Sequence, residues 1–119
     1  MQHDDLVYLG HMLDRAKRVG SFLRGIPKQD FDEDESLRLS IRHLIQTIGE
    51  AARHLSQDTR DAHPEIPWSK ILGMRNRIVH DYIDIDDDIV WQTAMQGIPE
   101  LINALEPIVP AQYRLPLKC

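Results

Sequence analysis

Leu37 to Leu55 reads "LRLSIRHLIQTIGEAARHL". Leu37, Ile41, Leu44, Ile45, Ile48, Ala52 and Leu55 recur mostly at steps of three and four, forming one apolar stripe along the segment. Arg38, Arg42, Gln46 and Arg53 lie off the stripe. The pattern predicts an amphipathic helix whose apolar face needs a cover. Gly49 weakens such a helix by about 1 kcal/mol relative to alanine. A close helix–helix contact at that position would be a reason to keep it.

Toward the N-terminus, Leu6, Leu9, Met12, Leu13, Ala16, Val19 and Leu23 carry the same period and predict a helix from Asp4 to about Leu23. Gly25 and Pro27 end it. "KQDFDEDES" then reads as an acidic linker with several N-cap candidates for the next helix. Toward the C-terminus, Pro64 and Pro67 bar a long regular element in "SQDTRDAHPEIP". Pro67 is placed to occupy the first position of a third helix running to about His80. One of Asp86 to Asp88 should cap a fourth helix that carries Ile89, Val90, Thr93, Ala94, Ile98, Leu101, Ile102 and Leu105. Pro99 should kink it, and Pro107 and Pro110 should end it. The tail has apolar residues without a period, to pack on the body or meet a partner. No segment reads as a strand. The expected fold is all-α, a four- to five-helix up-and-down bundle in a single domain over residues 1–119, with 107–119 an irregular C-terminal tail.

At 42% hydrophobic and 28% charged residues the chain can both fill a core and stay in solution. Its net charge of -5 argues against broad adhesion to nucleic acid, which needs a basic face, but leaves room for a small basic site. The lone cysteine, Cys119, allows no intrachain disulfide and fits a reducing compartment. With no secretion-signal pattern and no apolar run of about 20 residues, the expected location is cytoplasmic, with no membrane contact.

The sequence has no glycine-rich phosphate loop, dinucleotide fingerprint or H-E-x-x-H, and its six histidines show no metal-pair spacing. The aspartates around "IDIDDD" lack the central glycine and closing glutamate of a calcium loop. They read as a helix cap in a solvated acidic loop. Neither metal nor cofactor is expected.

"RNRIVHDY", Arg75 to Tyr82, is different. Metal-free RNA cleavage by internal transesterification needs a proton carrier of near-neutral pKa, a cation to hold the phosphate and a donor for the extra transition-state charge. Histidine, arginine and asparagine supply these. Arg75 and His80 are five positions apart, roughly 140° around a helix, and would not share one face. Either the helix ends before His80 and turns it back, or two protomers pool their residues in one cleft. The second arrangement is preferred. The same residues also fit a plainer role, since arginine and histidine in a last turn complement the helix dipole. Glu50 is a further candidate, placed to pair with Arg75 or Arg77 or simply to face solvent.

"HPEIPWSKILGMRNRIVHDY" and "TIGEAARHLS" resemble the HepT-like proteins of the HEPN superfamily, in order and in distance. Arg75, Asn76, His80 and Tyr82 fill the family's motif without a gap. The resemblance implies a dimeric helical bundle that cleaves RNA without a metal, with Arg75 and His80 as the catalytic pair and Asn76 in support. It implies a type II/VII-like toxin whose partner is a small MNT-type nucleotidyltransferase antitoxin able to transfer AMP to Tyr82. RNA is then the expected substrate and DNA is not. Two other readings stand beside it. One is a non-catalytic helical module that binds a nucleotidyltransferase or a nucleotide. The other is a structural helical protein whose polar stretch is only a helix end.

Overall fold

The Leu37–Leu55 stripe is the seam on which the chain assembles. In the computed structural model, which describes residues 3–81 and 83–115, it forms α3, Glu35–Arg53. Asp34 caps it by accepting the Leu37 N–H at 3.0 Å. Helix α1, His3–Leu23, packs along one flank of the stripe, and α5, Trp68–His80, along another. A last rod closes against α1. It runs through α6, Asp87–Gln92, a π turn, Thr93–Gly97, and α7, Ile98–Leu105. The core contains Leu9, Met12, Ala16, Ile41, Ile48, Ala52, Val90 and Leu105. The fold is thus an all-α bundle of four main helices, with no strand among the described residues. No helix among them is long and apolar enough to cross a membrane.

Two short helices lie where the sequence reads as linker. Helix α2, Lys28–Glu33, forms around Phe31, which is fully buried and packs on Trp91 with ring centroids 5.0 Å apart. Burying one such ring contributes about 2–3 kcal/mol, enough to hold a six-residue helix that its polar neighbours would not. Helix α4, Gln57–Ala62, is capped by Ser56 and secured from its far end. There Trp68 Nε1 donates to the carbonyls of Arg60 and His63 at 3.1 and 3.0 Å. Pro67 stands one place earlier than expected, as the capping residue, with Trp68 the first helical residue.

The distortion expected at Pro99 lies just before it. The Ile98 N–H bonds the Thr93 carbonyl, five residues back, so the helix widens into a π turn ahead of the proline that cannot donate. The acidic loop is held by cations. Asp86 caps α6, and Arg42 donates to both carboxylate oxygens of Asp87 at 2.8 and 2.7 Å. Asp88 accepts from Lys28 at 2.7 Å. The described part of the tail, to residue 115, packs on the body: Val109 is buried, and the Tyr113 carbonyl lies against Gly10, leaving no space for a Cβ there.

Candidate active site

Helices α3 and α5 meet at Gly49. A Cβ there would lie 2.8 Å from Arg75 Cγ, nearer still to its Cβ, and 3.3 Å from the Ile71 carbonyl oxygen. The glycine that costs α3 helix propensity therefore admits the stem of Arg75. Next to it, Glu50 Oε1 accepts from Arg75 Nε at 2.5 Å. Asn76 Oδ1 accepts from Arg75 Nη1 at 2.9 Å. Arg75 has five N–H donors and these bonds use two, which leaves three. Its side chain is only 15% exposed, so the guanidinium is held from two sides before any ligand arrives.

Glu50 is in turn approached by Arg53, Nη1 to Oε2 at 3.4 Å. The Arg75 hydrogen bond holds the Glu50 carboxyl below the usual carboxylate range. Partial burial opposes this, and the charges of Arg75, Arg53 and His54 add to it. Glu50 thus stays ionised well into the acid range and keeps its grip on Arg75.

Of the two partners foreseen for Glu50, the structure selects Arg75. Arg77 lies instead on the other flank of α5, with no ion pair among the described residues. There it lines a groove of about 710 Å³ between α5 and the last rod, together with Lys70, Met74 and Leu101. Its helix position, roughly 160° from Arg75, explains this.

Helix α5 continues through His80, with Asp81 as its C-cap. The helix therefore does not end early to turn His80 back toward Arg75. His80 is exposed, one turn beyond Asn76 and on the same flank, while Arg75 sits roughly 140° away. Within one chain, Arg75 and Asn76 are bonded and His80 stands apart from the arginine. Tyr82 lies outside the described residues. Among those residues, no three His, Cys, Asp or Glu side chains are grouped to hold a metal ion.

One neighbour of the site has no local sequence signal. Tyr8 of α1 stacks on His54 at the end of α3, with centroids 4.9 Å apart and planes at 13°. Only the antiparallel packing of α1 on α3 brings the two rings together.

The family model described as "Ribonuclease HepT-like" matches residues 12–108. The chain belongs to the HepT-like ribonuclease family. It is 32% identical over 102 residues to a putative RNase of Caldanaerobacter subterraneus subsp. tengcongensis, covering 86% of this chain and 91% of that protein. It is 30% identical over 101 residues to the probable ribonuclease HepT of Thermococcus cleftensis, covering 85% and 92%. No solved structure matches it. The matched region of this HepT-like chain contains Gly49, Glu50, Arg75, Asn76 and His80.

Proposed function

We propose that this chain is a metal-independent RNA endonuclease in which Arg75, Asn76 and His80 carry the reaction. The observation behind this reading is the clamp on Arg75: Glu50 and Asn76 fix its guanidinium and leave three donors for a ligand. A fixed, planar, always-charged fork suits a phosphodiester. His80 takes the proton of a ribose 2′-hydroxyl. The 2′ oxygen attacks the adjacent phosphorus, the P–O5′ bond breaks, and the products are a 2′,3′-cyclic phosphate and a 5′-hydroxyl. Arg75 holds the phosphate and, with the Asn76 amide, offsets the added negative charge as the phosphorus becomes five-coordinate.

The angle between Arg75 and His80 favours a homodimer in which one protomer's arginine works with the other's histidine across a shared cleft. The leaving 5′ oxygen takes a proton from water, and His80 returns the proton it took to solvent, so each site needs one arginine and one histidine. The motif resemblance supports a toxin role, opposed by an MNT-type nucleotidyltransferase. AMP added to Tyr82, two residues past His80 in the sequence, would add bulk and negative charge that repel RNA. Cytoplasmic RNA is the substrate in this reading. The test is incubation of purified protein with RNA in EDTA and analysis of the new ends. Cyclic phosphate termini that disappear in His80→Ala support the reading. Cleavage unchanged in that variant refutes it.

A further inference from the structure

We propose that the stacked Tyr8–His54 pair is a platform for one nucleobase of single-stranded RNA, seated beside the Arg75 clamp. This rests on the ribonuclease reading above and adds a binding subsite to it. Tyr8 covers one face of the imidazole in near-parallel stacking, and His54 remains exposed. It lies one helical turn beyond Glu50 on α3, about 6 Å along the axis. That turn is short enough for one nucleotide to place its phosphate on Arg75 and its base on the ring pair. The electrostatics suit a phosphate there. Glu50, the acid between the two features, is already paired with Arg75 and Arg53. Three donors of Arg75 remain for the substrate, and Arg53 is half-exposed beside it.

Flat ring faces next to cations are how proteins hold single-stranded nucleic acid with little sequence preference, since every base offers a π face. A local subsite of this kind also fits a chain of net charge -5. A long basic groove would not. The competing account is that the stack only ties α1 to α3.

The two accounts separate in an experiment with a short single-stranded RNA, first mapped for its cleavage position. Binding is measured in the His80→Ala chain, and cleavage in the otherwise wild-type chain. His54→Ala and Tyr8→Leu are each expected to raise Kd and KM by about 5- to 150-fold, the range for loss of one stacked base, with kcat changed far less. His54→Phe, which keeps a flat ring, is expected to restore most of the loss. An RNA lacking the base next to the cleaved phosphate should lose the same factor with wild-type protein and lose nothing more with His54→Ala. Unchanged KM in His54→Ala overturns the proposal. So does an equal loss with the intact and abasic RNAs, which marks a structural tether. A wild-type chain that cleaves no RNA instead removes the ribonuclease reading itself, and the subsite with it.

Discussion

Replacing Gly49 by alanine sets two effects of opposite sign against each other. Alanine raises helix propensity in α3 by about 1 kcal/mol. The new Cβ, however, would lie 2.8 Å from Arg75 Cγ and 3.3 Å from the Ile71 carbonyl oxygen. Carbon atoms rest about 3.5–4.0 Å apart. Arg75 Cβ lies nearer still and is fixed by the α5 backbone, so helix α5 itself must retreat by roughly 1 Å or more. Overpacking of this kind costs about 1–3 kcal/mol, which leaves a net destabilisation of roughly 0–2 kcal/mol once the propensity gain is subtracted. Activity should fall much further, because misplacing a reacting group by about 1 Å can cost about a hundredfold in rate. Gly20→Ala is the control: it lies inside α1 with nothing within 4 Å of its would-be Cβ, and should gain about 0.5–1 kcal/mol. Urea unfolding and RNA cleavage rates on the same preparations measure both quantities. If Gly49→Ala gains as much stability as Gly20→Ala and cleaves RNA at the wild-type rate, the close contact and its role are refuted.

Glu50→Gln should lower kcat at least tenfold while moving stability by less than about 1 kcal/mol, because the ion pair is partly solvated. Initial rates and thermal melting check this, and an unchanged rate would remove Glu50 from the site. The buried Asp5 carboxylate accepts from the Ser56 N–H at 3.0 Å, Ser56 Oγ at 2.7 Å and Thr59 Oγ1 at 2.6 Å. Burial pushes its pKa up, but the Thr59 and Ser56 hydrogen bonds outweigh that and hold it below the usual carboxylate range. Its folded-state pKa is thus below its unfolded one. The stability it contributes is present above about pH 4 and lost as the pH falls through the folded value. Asp5→Asn should cost about 1–3 kcal/mol at pH 7 and flatten the acid side of the stability–pH curve. An acid limb as steep as wild type would contradict the role given to Asp5.

The long elements were legible because burial leaves a period in the sequence. The α1 and α3 stripes place their helices to within two residues, and Gly49 already implied a tight contact. Helices α2 and α4 were not legible. Each is six residues long and mostly polar, and depends on distant chain: Trp91 against Phe31, and Trp68 against the Arg60 and His63 carbonyls. Of the site, the residue types were readable and the pairing was not. Glu50 had two arginines to choose from, and only the crossing of α5 on α3 selects Arg75. The Tyr8–His54 stack joins residues far apart in sequence, so no local pattern carries it.

The most direct test uses two chains that should each be inactive alone, Arg75→Ala and His80→Ala. They are co-expressed with different tags, and the mixed dimer is purified and assayed for RNA cleavage in EDTA. A cleft that pairs one protomer's arginine with the other's histidine leaves one intact site of two, so the mixed dimer should recover about half of wild-type activity. A mixed dimer as inactive as either parent would contradict the shared cleft.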